Sequence, residues 1–237
     1  MVDALSFAAS ALRTAQTRQD VTANNLANLV TPAFRSQRVD AADLPGGGVS
    51  VAAIRARPDA GSPEITDRGL DLAIHGAGFF QVQTPQGTRY TRAGSFGLDA
   101  QGQLVDAGGN PVAPGIEAPP GTASVAVGGD GTVTAILSDG TTQAIGTLSL
   151  ARFPNEGGLL REGGNLLAAT PASGAAAVGA PGETGFGTIV SGFLEGANVD
   201  LAGEMVGQIV NRAFFLANLA TIRTENEVLG ELMDIVG

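Results

Sequence analysis

The chain has 237 residues and a formal net charge of −10, and all 13 of its basic residues are arginine. It contains one His and no Cys or Trp, against 35 Gly and 12 Pro. The missing Cys excludes a thiol nucleophile, disulfides and Cys-ligated zinc. The missing Lys excludes a Walker A loop and Schiff-base chemistry, and a single His excludes the H-E-x-x-H zinc motif. The acidic balance argues against a nucleic-acid backbone as partner.

With 43% hydrophobic and only 15% charged residues, the composition is that of a folded chain. No apolar run approaches the ~18 residues of a membrane span. The start, Met1-Val2-Asp3-Ala4-Leu5, lacks a basic n-region and a long apolar core, which by itself predicts a cytoplasmic protein.

The helix breakers are unevenly placed. Residues 1–40 hold no Gly and one Pro, residues 198–237 hold four Gly and no Pro, and the rest fall between. Both ends are therefore free to be helical. The N-terminal stripe Leu5, Ala8, Leu12, Ala15, Gln19, Thr22, Leu26 has a period near 3.5, and Thr31-Pro32 stops it. At the other end Asn198 is the expected N-cap, with Asp200 and Glu204 near the positive end of the helix dipole. The stripe that follows runs Leu201, Met205, Gln208, Arg212, Phe215, Leu219, Ile222, Asn226, Leu229, Met233, Val236. Glu225, Glu227, Glu231 and Asp234 lie near the C-terminal end of that helix, where negative charge is unfavourable; fraying is expected unless a neighbour supplies cations.

The middle predicts β structure. Phe79–Gln83, Gly94–Leu98 and Thr147–Leu150 are strand candidates, and segments around 125–127 and 133–136 flank Asp130-Gly131, a pair that favours a type I′ hairpin turn. Residues 41–64 look like a connector and 171–187 like a loop. The expected architecture is α+β. Segments 1–40 and 190–237 form a discontinuous helical domain, and 65–189 form a central, mostly antiparallel β domain. Two long amphipathic helices with little else to cover them suggest assembly.

No catalytic, metal or cofactor site emerges. His75 has no partner motif, and Gly76-Ala77-Gly78 lacks the third glycine and following helix of a dinucleotide loop. Asp67, Asp71 and Asp99 read as solvated turn residues rather than acid/base groups or a calcium loop.

Several blocks carry a resemblance. Val21-Thr22-Ala23-Asn24-Asn25-Leu26-Ala27-Asn28 followed by Thr31-Pro32-Ala33-Phe34-Arg35 resembles the N-terminal signature of the bacterial flagellar rod and hook family. Asn198-Val199-Asp200-Leu201, Glu204-Met205 and Arg212-Ala213-Phe214 resemble its C-terminal signature. Leu70–Ile74, Gly78–Val82, Tyr90-Thr91-Arg92, Gly94-Ser95-Phe96, Gly102–Val105, Gly163–Leu166 and Gly192–Glu195 follow in the family's order. Blocks 70–105 and 146–205 look most like the distal rod branch, and 19–25 leans toward the proximal rod paralogue. Ala33 stands where the family has Gly, so a positive φ there would be strained. Phe215 stands at a usually polar position.

The resemblance implies a non-enzymatic subunit, exported without a cleaved signal by the flagellar type III apparatus, that polymerises helically into the periplasm-crossing rod and transmits torque. Its terminal helices would form a coiled-coil-like inner tube. The implied partners are further copies of itself, other rod and hook proteins, the outer ring proteins and the export apparatus. Leu5, Leu12, Leu26, Leu201, Met205, Phe215, Leu219, Ile222 and Leu229 would pack the tube, with Phe34, Asn198 and Arg212 in the signature blocks. Asn24, Asn25 and Asn28 would cap the helix end or meet a neighbour. The remote alternative is a peptidoglycan-processing enzyme using Asp67, Asp71 or Glu162. Limited proteolysis of the free monomer is expected to leave a resistant core near 65–190 and to remove both ends; protease-resistant ends would contradict assembly-coupled folding.

Overall fold

In the computed structural model, which describes residues 2–236, the breaker-poor ends are two long helices, α1 (Val2–Ala27) and α2 (Leu201–Val236). The side chain of Val236, the last position of the expected stripe, lies outside the description. The chain divides into two units. One takes residues up to 29, 35–57 and from 199 onward; the other takes 30–34 and 58–198.

In the first unit, α1 ends at Ala27, before Thr31-Pro32, as the Asn28 amide folds back on the Asn24 carbonyl at 2.9 Å. Asn198 does not cap α2. The Glu204 N–H donates to the Asp200 carbonyl at 2.9 Å, so the helix begins after Asp200, and the Asn198 amide is used on the Asp59 carbonyl at 2.7 Å. The segment expected as a connector carries most of a hairpin, β1 (Gln37–Asp43) and β2 (Val49–Ala56), paired antiparallel with a bulge at Asp40/Ala41. Val39, Val49, Val51 and Ile54 supply the β-branched residues that suit a ribbon. At its tip Gly47 has φ +101°, and a Cβ there would stand 2.5 Å from the Phe7 ring, so the hairpin lies directly on α1. Ser10 Oγ accepts the Val49 N–H at 3.0 Å and donates to the Phe7 carbonyl at 2.8 Å, which fixes the contact.

The second unit is built of short antiparallel strands. A three-stranded sheet joins 122–127, 132–137 and 142–147, and a four-stranded sheet includes 80–84 and 87–91. Leu72, Phe80, Val82, Phe96, Leu104, Val133, Leu148 and Leu150 are almost wholly buried, with Phe80 and Phe96 edge-to-face at 5.0 Å. The expected strand at 147–150 falls on a break between Thr142–Thr147 and Leu150–Arg152, and the one at 94–98 shrinks to Gly97–Leu98. The loop at 171–187 contains a short strand, Ala177–Gly179, paired with 150–152.

The hairpin at Asp130-Gly131 is present, with Val133 opposite Val127, but its turn is not type I′. Of the two residues only Gly131 has a positive φ, +82°. The reason is local. The Asp130 carboxylate accepts the Thr132 N–H at 3.0 Å, and that bond suits an ordinary backbone at Asp130. The Thr132 N–H and then its hydroxyl hold the Asp130 carboxyl below the usual carboxylate range. The tie is therefore present above the ordinary carboxylate pKa and is lost as pH falls through the lowered one.

Ala33 adopts φ +56°, the strained conformation foreseen for a non-glycine residue at this position, while its N–H donates to the Glu195 carbonyl at 2.7 Å. Ala33→Gly should raise stability by about 0.5–1 kcal/mol, as relief of left-handed strain exceeds the added freedom of the unfolded chain. Ala33→Val should lower it by about 1 kcal/mol or more. The urea midpoint of each variant reads both effects.

Candidate assembly surface

The two helices of the first unit run antiparallel. Asn25 near the end of α1 meets Glu204 near the start of α2, and Ala15 meets Asn211. The buried line of α1 is small: Ala8, Ala11, Thr14, Ala15, then Val21 and Asn25. Small residues let the backbones approach closely.

Asn25 is the centre of the joint. It is almost fully buried, its amide donates to the Gln37 carbonyl at 2.8 Å and to Glu204 Oε1 at 2.7 Å, and its oxygen accepts the Gln37 N–H at 2.8 Å. One side chain thus ties α1, β1 and α2 together. Asn211 donates to the Ala15 carbonyl at 2.8 Å, while its own oxygen is buried with no partner among the described residues.

α2 is turned against the usual pattern. Glu204, Asn211, Asn218 and Glu225, spaced by seven, are half-buried, as are Leu219, Ile222 and Leu229. The apolar residues of its first half face solvent: Val206 is 60%, Ile209 69% and Val210 62% exposed, with Phe214 and Leu216 beside them. An ordinary surface helix does the reverse. Covering each such side chain is worth on the order of 1–2 kcal/mol, so the face is a strong driving surface for association.

Among the described residues, Leu201–Ile235 is long and apolar enough to cross a membrane by length and composition. This corrects the sequence expectation, because no single run is uninterrupted yet charges are sparse enough for the average to remain apolar.

The expected packing residues divide as follows. Asn25 and Phe34 are buried, and Leu5, Leu12, Leu26, Asn28, Asn198, Leu219, Ile222 and Leu229 are half-buried. Asn24, Leu201, Met205, Arg212 and Phe215 are exposed in the single chain. Asn198 and Phe34 meet in the second unit, where the Asn198 N–H donates to the Phe34 carbonyl at 3.2 Å. Phe7, Ser10, Gln37 and the Val206–Val210 face were not singled out from sequence. A polar residue recurring every seven positions along α2 is the signal that could have revealed its orientation.

The residues considered for chemistry are engaged elsewhere or dispersed. Asp71 is buried against Arg68 at 3.4 Å, Glu162 pairs with Arg89, Asp67 is exposed, and His75 lies exposed at the end of a strand. Arg92 and Glu195 form a buried ion pair at 3.0 Å in the second unit.

Comparison with known proteins gives the same outline along the chain. Family profiles described as "Flagella basal body rod protein", "Flagellar hook protein FlgE/F/G D1 domain" and "Flagellar basal body rod FlgEFG protein C-terminal" match residues 5–35, 73–135 and 190–235. The chain is 36% identical to the flagellar basal-body rod protein FlgG of Caulobacter vibrioides, over 96% of this chain and 97% of that protein. It is 36% identical to FlgG of Bacillus subtilis over 99% of both. It is 40% identical to the hook protein FlgE of Escherichia coli over 47% of this chain and 28% of that protein.

Removing the Asn25 side-chain amide leaves the Gln37 backbone groups and the Glu204 carboxylate short of partners. Asn25→Ala should destabilise the first unit by about 2–3 kcal/mol, read by urea unfolding and by faster hydrogen exchange of the Gln37 amide.

Proposed function

The chain belongs to the flagellar basal-body rod and hook family, and from that premise we propose that it polymerises helically through its terminal helices. It is a structural subunit of the distal rod, not an enzyme, and rod and hook proteins are its related components. In the proposed assembly α1 and α2 line an inner, coiled-coil-like tube, and the β-rich segment between them forms an outer layer. The rod crosses the periplasm and passes torque to the hook. The subunit reaches it through the flagellar export apparatus without a cleaved signal, and the outer ring proteins surround it.

The observation that supports this reading is the apolar face of α2 around Val206, Ile209 and Val210, left open in the single chain. A face of that kind gains most of its stabilisation from neighbours. The exposed Leu201, Met205 and Phe215 and the half-buried Leu5, Leu12 and Leu219 would gain further cover in the same way.

The test separates assembly from folding. Val206→Asp with Ile209→Asp should change monomer stability by less than about 0.5 kcal/mol, because both sites are already exposed. The same variant should fail to restore motility or hook-bearing rods in cells lacking the native gene, where the unaltered chain succeeds. Motility with the double variant would overturn the assembly reading.

A further inference from the structure

α2 outruns its partner helix. The pairings of Asn25 with Glu204 and Ala15 with Asn211 set an antiparallel register in which the start of α1 lies opposite residue ~225. About ten residues of α2 therefore project beyond α1, on the order of 15 Å of helix. This projection carries Glu225, Glu227, Glu231 and Asp234, and its last turn has no basic residue. The helix dipole places partial negative charge at the same end, so the segment lacks the cations that would stabilise it.

At the other end of the helix pair lies an open groove of about 450 Å³. Arg18, Arg38 and Arg57 line it, together with Gly203, Gly207 and Phe214 of α2. A side chain at Gly207 would meet nothing within 4 Å, so another helix can come close. Two carboxylates also border the groove, but Glu204 is held by the Asn25 amide and Asp200 lies at the start of α2. Arg38 is shared with Asp40 at 3.2 Å, while neither Arg18 nor Arg57 forms an ion pair among the described residues.

We propose that this arginine-lined groove receives the acidic C-terminal turns of α2 from a second copy of the chain. Glu227, Glu231 and Asp234 recur at i, i+4 and i+7 and share one face, with the exposed apolar Val228 and Ile235 beside it. That face presents carboxylates to Arg18 and Arg57 and apolar surface to Phe214. Groove and projection lie at opposite ends of one helix pair, so the contact is head-to-tail and each copy leaves one groove and one projection unfilled. Such a contact is heterologous, and it propagates as an open chain when its rotation does not close. The inference rests on the rod-subunit reading and assigns the surface through which successive copies meet.

The chain contains no cysteine, so single thiols report the contact directly. Full-length Val39→Cys, in the groove, and full-length Ile235→Cys, on the projection, are mixed in equal amounts and oxidised. The ratio of mixed to same-type disulfides should exceed its random value by about fivefold at low salt and fall toward that value at high salt. Thr22→Cys, on a different element of the same groove, should behave as Val39→Cys does. Arg18→Glu with Arg57→Glu in the groove chain should remove the excess, and Glu231→Arg with Asp234→Arg in the other chain should restore it. A random proportion of mixed disulfide from both groove positions would overturn the groove assignment. Because motility restoration is read separately, that result would leave the rod-subunit reading standing, whereas failed restoration by the unaltered chain would overturn the rod reading itself.

Discussion

A helix that offers polar side chains to its main partner helix must find its hydrophobic cover elsewhere. α2 is under that constraint. Glu204 and Asn211 meet α1 through hydrogen bonds, and Asn218 and Glu225 continue the same line at seven-residue spacing. The buried line of α1 consists mostly of small residues. The seam therefore gains precision from directional bonds, each worth only about 1 kcal/mol net, and little from apolar burial. Almost all the apolar content of the first half of α2 remains on the outside.

The β-rich unit is organised differently. Its core closes on Phe80, Phe96, Leu104 and Leu150 without needing another chain, and Phe79, Tyr90 and Phe153 form a second cluster beside it. Its buried charges are matched internally, Arg92 by Glu195 and Asp71 by Arg68. One unit thus resembles a self-sufficient domain, and the other resembles half of an interface. The same division is visible in composition, where glycine and proline crowd the β-rich unit and are thin in the two helices of the other.

How far the sequence reveals this depends on the range of the interaction. Local signals are legible: the absence of breakers marks both helices, and Asp130-Gly131 marks a hairpin. Ala33 takes a positive φ, which its sequence position in the Thr31-Pro32 turn announces as a strained site. The turn type at 130–131 is misjudged because the Thr132 backbone N–H donates to the Asp130 carboxylate and competes with the dipeptide preference. The hairpin over Gln37–Ala56 is hidden by Ala and Gly content, although its valines and Ile54 carry the strand pattern. Which side of α2 faces α1 is the hardest feature to read. An apolar stripe normally marks the buried side, and here the contacts that set orientation link Asn25 to a residue 179 positions away.

The Asn25–Gln37 pair has a consequence of a different kind. A two-stranded ribbon has unpaired backbone groups along its outer margins, and these invite other extended chains to add on. At Gln37 both groups, the N–H and the C=O, are bonded to one amide side chain, which imitates a single residue of an adjoining strand. The margin of β1 is occupied at that point before any other strand can reach it. Copies of the chain brought close together then find one less template for amyloid-like stacking, and the ribbon keeps to its partner strand.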